Sequence, residues 1–272
     1  MNVAQAVKHC VALSLTRLDA QLLVLHVLGR PAHDRAWLLA HDTDGVPPHA
    51  QTALSTLATR RAAGEPLAYL TGHKEFFGLN LQVDARVLDP RADTETLVEW
   101  ALEVLPTAAP ASVVDLGTGS GAIALALKAA RPLLNVSAVE FSVDALAVAQ
   151  NNAQRLHLDI TFWQGSWLSG ASGRFNAIVS NPPYIASQDA HLAALQHEPL
   201  QALASGADGL DDIRTIIQQA PEHLLSGGWL LLEHGYDQAD AVRELLVKAG
   251  FSKVQSRQDL AGIERCSGGQ MP

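Results

Sequence analysis

The chain has 272 residues, 48% hydrophobic and only 17% charged, enough apolar material for a sizeable core and too much for global disorder. Acidic residues outnumber basic ones by nine (28 against 19), a balance that opposes a broad phosphate-binding face without excluding a local basic patch. Cys10 and Cys266 show neither CxxC nor metal-like spacing, and the eleven histidines form no HExxH pattern. The expectation is free thiols in a reducing cytosol and no metal site.

The first 70 residues read as helices only. "RLDAQLLVLHVLG" carries apolar residues at helical spacing and stops at Gly29-Arg30-Pro31. "DRAWLLAH" is a short helix, and "PHAQTALSTLATRRAAG" a longer one that opens with Pro48 and closes at Gly64. Together they predict a small helical bundle over residues 1–72. "EFFGLNLQVDARVL" then alternates apolar and polar residues around Gly78-Leu79-Asn80, which predicts a β-hairpin within a linker, residues 73–90.

From residue 91 to 272 strands and helices alternate. "TETLVEWALEVL" is helical, "SVVDLG" a strand, "AIALALKAARP" a helix, "NVSAVE" a strand, and "SVDALAVAQNNAQRLHL" a helix that Ser142 caps. "ITFWQ" and "FNAIVS" are strands. "DGLDDIRTIIQQAPEHLLSGG" is a helix kinked or restarted near Pro221. A strand "GWLLLEHG", a helix "DQADAVRELLVKAG" and a last strand "FSKVQSRQD" paired near Ile263 complete the series. Such alternation predicts an α/β domain, a parallel sheet covered by helices on both faces. No apolar run reaches membrane-spanning length, so we expect a soluble cytoplasmic chain, monomeric and without a membrane partner.

Two stretches carry chemistry. In "VVDLGTGSGAIALAL" a strand ends at Leu116, glycines follow at 117, 119 and 121, and a helix begins at once. Glycines let a backbone turn tightly and approach a ligand where such sheets bind small molecules, although a bare tight βα turn would look the same. The spacing is not the GxGxxG of dinucleotide sites, and no GK[ST] follows for a phosphate loop. The next strand ends in Glu140, a carboxylate placed to accept both hydroxyls of a ribose. With the strand-end loop "WQGSW" these features suggest a nucleoside cofactor across three loops. In "IVSNPPYIAS" an apolar strand runs into Asn181 and two prolines. Neither proline can extend a ladder, and each restricts the residue before it, so Asn181 is held beside Tyr184 on a stiff backbone.

"DLGTGSG", the strand-end acid and "NPPY", in that order, resemble the class I S-adenosylmethionine-dependent methyltransferases, with their Rossmann-like sheet. "GEPLAYLTGHKEFFG" at 64–78, "DPRADTE" at 89–95 and "LLLEHG" at 230–235 narrow the resemblance to the HemK/PrmC family of peptide chain release factor glutamine N5-methyltransferases. The resemblance spans roughly residues 64–267. It implies an enzyme that uses S-adenosyl-L-methionine to methylate the GGQ glutamine of class I peptide chain release factors, modulating translation termination. It implies that Gly117, Thr118, Gly119, Ser120 and Gly121 pass close to the methionine part of the cofactor, that Glu140 holds the ribose and that Trp167 borders the adenine. Asn181 would sit between cofactor and substrate, with Pro182, Pro183 and Tyr184 shaping the substrate and catalytic site. Relatives often have Asp where this chain has Ser166, and "LDPRADTE" departs from the usual "IPRPDTE" at Asp89 and Ala92.

A carboxamide nitrogen is a poor nucleophile because its lone pair is delocalised. No strong base is needed if fixed acceptors hold its two hydrogens, and the Asn181 side-chain oxygen and the Pro182 carbonyl could take one each. An amino-group methyltransferase acting on nucleic acid faces the same problem and is the rival reading, with the acidic net charge against it. A cofactor-binding adaptor without catalysis is the third. Smaller expectations attach to Arg91 and Glu95, as cleft residues or ion-pair partners, to Glu233 and His234 as core support, and to Glu198-Pro199 as shaping the loop after NPPY. Gly268-Gly269-Gln270 repeats the tripeptide that the family modifies, by chance or as a self-docking segment.

Overall fold

The computed structural model describes residues 1–169, 171 and 173–272, and the chain forms two compact units, Met1–His73 and Lys74–Pro272. The first unit is helical: α1 (Val3–Ala12), α2 (Arg17–Val27), α3 (Arg35–Ala40), α4 (Pro48–Ala62) and α5 (Leu67–Thr71). Local chemistry sets the ends. Asn2 and Gln5 form a reciprocal capping box on α1, Thr16 accepts the Asp19 N–H to start α2, and Gly29 follows α2 with φ +66°. The apolar stripe of α2 buries Leu23, Val24 and Leu25 against Leu54 and Ala58 of α4 and Val3, Ala6 and Cys10 of α1.

The hairpin β1 (His73–Phe76) and β2 (Leu79–Gln82) comes next, then a 3-10 turn (Ala92–Thr94) leading directly into α6 (Glu95–Val104). Glu95 serves the hairpin: its Oε1 accepts the Phe77 N–H at 2.9 Å. Strands and helices then alternate through β3 (Ala111–Leu116), α7 (Ala122–Ala130), β4 (Leu134–Glu140), α8 (Val143–Leu156), β5 (Thr161–Gln164) and β6 (Phe175–Ser180). Ser142 caps α8 as expected, accepting the Ala145 N–H. The series closes with α9 (Asp211–His223), β7 (Leu224–Glu233), α10 (Ala239–Lys248), β8 (Ser252–Gln258) and β9 (Glu264–Gln270). Pro221 neither kinks α9 into two helices nor restarts it; it sits in the last turn, and β7 begins directly afterwards.

Among the described residues these strands form one sheet in the order β5-β4-β3-β6-β7-β9-β8. The first five are parallel, but β9 runs antiparallel to both β7 and β8, so the expectation of a purely parallel sheet is corrected to a mixed one. The reason is the turn after β8. Asp259 Oδ1 accepts the Ala261 and Ile263 N–H groups, folding the chain back so that β9 inserts beside β7. One face of the sheet packs Ile178, Leu230 and Leu232 against Ile213, Ile216 and Ile217 of α9 and Val242 and Leu246 of α10.

The inserted strand contains the tripeptide Gly268-Gly269-Gln270. A Cβ on Gly268 would lie 2.7 Å from the Leu230 carbonyl oxygen and 3.0 Å from the Trp100 ring, and one on Gly269 would lie 2.8 Å from Phe251 Cβ. Gln270 donates from Nε2 to the Gly227 carbonyl at 2.8 Å. Close packing in the sheet accounts for both glycines, and the tripeptide is a strand, not an exposed segment free to dock.

Candidate functional site

The site forms where β4, β3 and β6 end level with one another. Leu116 of β3 is in register with Val139 of β4 and with Ser180 of β6, so the glycine loop, Glu140 and Asn181 leave the sheet at one edge. Ser180 Oγ donates to the Leu116 carbonyl at 2.7 Å and ties the two strand ends together. A cleft there encloses about 730 Å³ outside the protein atoms, part of it open to solvent. Gly117, Gly119, Glu140, Trp167, Asn181 and Pro183 line it, together with residues of the 86–88 and 199–202 segments.

The glycines of the loop have different work. Gly117 (φ +67°) lies under the Trp167 ring, and a Cβ there would come within 3.2 Å of it. Gly119 (φ +57°) faces open space: a Cβ would meet no heavy atom within 4 Å. Gly121 (φ +86°) opens α7 and is turned inward, where a Cβ would meet Leu125 Cδ1 at 2.9 Å and Ala149 Cβ at 3.4 Å. Thr118, Ser120 and Gly121 are not among the cleft-lining residues. Thr118 and Ser120 are buried. Thr118 donates to Asp115 Oδ2 at 2.6 Å, and the Ser120 carbonyl accepts from Asn152 Nδ2 at 2.9 Å. Burial pushes the Asp115 carboxyl up to about 7, partly offset by Thr118 and the Ala124 N–H.

Glu140 is held by backbone on both oxygens. Oε2 accepts the Gly119 N–H and Oε1 the Ser142 N–H, each at 2.9 Å. Each carboxylate oxygen keeps acceptor capacity toward the cleft. Trp167 has φ +52°, and its indole N–H donates to Asp212 Oδ1 on α9 at 3.1 Å. Neither Asp212 nor this constraint was evident from the sequence, because the two residues sit on different elements. Ser166 also lines the cleft.

Asn181 lines the same cleft. Its Nδ2 donates to Thr94 Oγ1 at 3.2 Å, a partner that sequence reading missed. Pro182 is buried and Tyr184 half-buried; neither lines the cleft. The Tyr184 carbonyl accepts from Gln238 Nε2 at 3.0 Å, and a Cβ on Gly209 would collide with it at 2.2 Å. Behind Thr94 lies Glu233, 1% exposed. Its Oε2 is buried without a hydrogen bond of ordinary geometry, and burial pushes the carboxyl up to about 7. The Thr94 and Tyr184 hydroxyls act on it in the opposite sense. Desolvation and the Glu233 charge raise the Tyr184 phenol well above its ordinary value.

Arg91 is an ion-pair residue. It donates to Glu198 Oε1 at 2.5 Å and lies 3.5 Å from Asp89 Oδ2, while the Asp89 N–H donates to Glu198 Oε2. Glu198 thus fixes the start of the 199–202 wall. His234 is fully buried, and its ring lies 2.7 Å from Ser267 Oγ and 2.9 Å from the Gly235 carbonyl, a core role.

Comparison with known proteins gives consistent matches. Residues 98–256 match the family described as the methyltransferase small domain, and residues 10–72 the PrmC N-terminal domain. The release factor glutamine methyltransferase of Bordetella pertussis is 52% identical, with 94% of this chain and 96% of that protein covered. That of Coxiella burnetii is 46% identical over 92% of this chain and 90% of its own length. Among solved structures, a methyltransferase from Pyrococcus furiosus superposes with a TM-score of 0.56 at 19% identity, over 71% of this chain and 89% of that one, a likeness of fold.

Proposed function

The chain belongs to the release factor glutamine methyltransferase family, and from that premise we propose that it methylates N5 of the GGQ glutamine in class I peptide chain release factors. S-adenosyl-L-methionine is the methyl donor. When bound, it supplies a methyl group on a positively charged sulfur; the acceptor nitrogen's lone pair forms the new bond and the carbon–sulfur pair stays with sulfur.

The residues present fit that donor. The cleft lies at the carboxyl ends of the parallel strands, where such sheets bind small molecules. Gly119 leaves room where any side chain would intrude, and Glu140, immobilised by two backbone N–H groups, is a ready acceptor for a ribose diol. The Trp167 ring, fixed by Asp212, offers an apolar wall for a base.

The observation that carries the reading is Asn181. With its –NH₂ engaged by Thr94, its oxygen is the group left for an incoming amide. Asn181 Oδ1 and the Pro182 carbonyl accept one acceptor hydrogen each, which orients the nitrogen lone pair without a general base. The amide proton then leaves to water. Asn181 orients the substrate; it does not react with it.

The test is incubation with methyl-labelled cofactor and, in parallel, a release factor and a DNA duplex, followed by peptide mapping. Label on the GGQ glutamine is the expected result. Label on DNA bases and none on protein would overturn the reading in favour of the nucleic-acid enzyme.

A further inference from the structure

Trp167 stands in a backbone conformation that side chains disfavour. Its φ of +52° lies in the left-handed region, which costs any residue that carries a Cβ. A tight turn would be reason enough for a glycine there. A large aromatic residue stays only where its surroundings hold it, and residues held in this way gather at ligand sites.

Two elements hold this one. Gly117 leaves room for the ring, since a Cβ at that position would come within 3.2 Å of Trp167 Cζ3. From α9, Asp212 Oδ1 accepts the indole N–H at 3.1 Å. The same helix grips the loop a second time, because Gln219 Oε1 accepts the Leu168 N–H at 3.0 Å. Asp212 and Gln219 stand about two turns apart and so share one face of α9. Asp212 is itself a fixed post. Its backbone N–H, one of the donors that a helix start leaves without an internal partner, goes to Ser205 Oγ at 2.9 Å, and Ser205 is buried.

The bland account of Asp212 is an acid in the first turn of a helix, where the dipole favours negative charge. Asp211 beside it fits that account and reaches Arg214 instead. The dipole gives no reason for the Asp212 carboxylate to meet an indole N–H that belongs to a strained, cleft-lining residue.

We infer that Asp212 is a positioning residue for cofactor binding: it holds the Trp167 indole at Gly117 so that the ring presents its carbon face to the adenine. The inference rests on the base wall proposed above and deepens it. Asp212 is not among the cleft-lining residues, so its action passes through Trp167. With its one polar hydrogen engaged by a carboxylate, the indole offers the base carbon surface only. An untethered ring would have to be ordered each time the cofactor bound, and that ordering lowers affinity.

The test uses the full chain with S-adenosyl-L-methionine, without release factor, and the variants Asp212→Ala, Asp212→Asn and Trp167→Leu. Calorimetry should show affinity about 10-fold weaker in Asp212→Ala, the worth of one hydrogen bond to a charged group. Asp212→Asn keeps an oxygen acceptor and should recover most of the loss. Adding Asp212→Ala to Trp167→Leu should cost no further affinity, because the tethered ring is already gone. A second readout needs no ligand. Of the five tryptophan indole N–H signals in a ¹⁵N spectrum, the one that Trp167→Leu removes should move upfield and exchange faster with solvent in Asp212→Ala. Wild-type affinity in Trp167→Leu would remove the base wall and the inference with it. Weakened binding in Trp167→Leu but wild-type affinity in Asp212→Ala would overturn the role of Asp212 alone. So would an indole signal that ignores Asp212→Ala, or an undiminished Asp212→Ala effect in the Trp167→Leu background.

Discussion

Glu140 Oε2 accepts the Gly119 N–H at 2.9 Å, so the acid that ends β4 holds the loop that follows β3. One carboxylate therefore serves two purposes: it shapes the glycine loop and offers its remaining lone pairs to the cleft. Replacing it should remove both. We expect Glu140→Ala to weaken S-adenosylmethionine binding about 10- to 100-fold, the worth of one or two hydrogen bonds to a charged group. Titration calorimetry checks this; unchanged affinity would exclude Glu140 from the ribose.

The glycines of the loop should separate binding from stability. Gly119→Ala meets no protein atom, so its fold should lose only about 1–2 kcal/mol for a side chain at positive φ, while cofactor affinity drops. Gly121→Ala adds a clash with Leu125 to the same backbone cost and should unfold at clearly lower denaturant. Parallel calorimetry and denaturant titration of the two variants give the comparison. Equal affinity loss with equal destabilisation would mean that both positions are structural.

Asn181→Ala should slow single-turnover transfer on the order of 10²-fold while cofactor affinity stays near wild type. Pro182→Ala should do less, because the backbone carbonyl survives and only its rigidity is reduced. Near wild-type turnover in Asn181→Ala would defeat the mechanism derived from the site.

The Arg91–Glu198 pair should matter for the cleft as well as for stability. The Glu198 side chain is 3% exposed and Arg91 36%, so Arg91→Met leaves a nearly buried carboxylate without its main partner. The cost should be about 1–3 kcal/mol, below that of a fully buried pair because solvent reaches Arg91. Cofactor affinity should fall too, since Pro199 and Gln201 line the cleft directly after Glu198. Chemical denaturation and calorimetry report the two effects separately.

Stability should decline as pH rises toward 7, in part through Glu233. Its folded-state carboxyl is raised from an ordinary 4.5 to about 7, so between those values the native state holds a proton that the unfolded chain has lost. That contribution is fully present below the unfolded pKa and lost as pH rises through the folded one. It amounts to roughly 3 kcal/mol at most. Glu233→Gln, which cannot ionise, should lack this part of the slope, leaving the share due to Asp115. Urea titrations at pH 5 and pH 8 for both proteins test it; parallel slopes would place the titration elsewhere.

The chain order of helices and strands was readable because periodicity and end signals are local. Apolar residues at helical spacing predicted α2, glycine and proline punctuation ended it, and Ser142 announced α8. The glycine loop, Glu140 and NPPY were readable for the same reason: each is a short stretch whose composition has a physical purpose. What failed lay across the chain. The insertion of β9 between β7 and β8 depends on a turn built by Asp259, and the glycines of that strand hide its β character from any propensity argument.

The sequence by itself determined which residues stand at strand ends, and hence that the glycine loop, Glu140 and Asn181 belong to one sheet edge. Only the tertiary structure decided how those residues are held. Thr94 meets Asn181 across 87 positions and Arg91 meets Glu198 across 107, separations over which no periodicity carries information. A side chain's type is written locally, but its hydrogen-bond partner is set by whichever distant element the packed core brings within 3 Å. Orientation at this site is therefore a property of the fold, and chemical identity a property of the sequence.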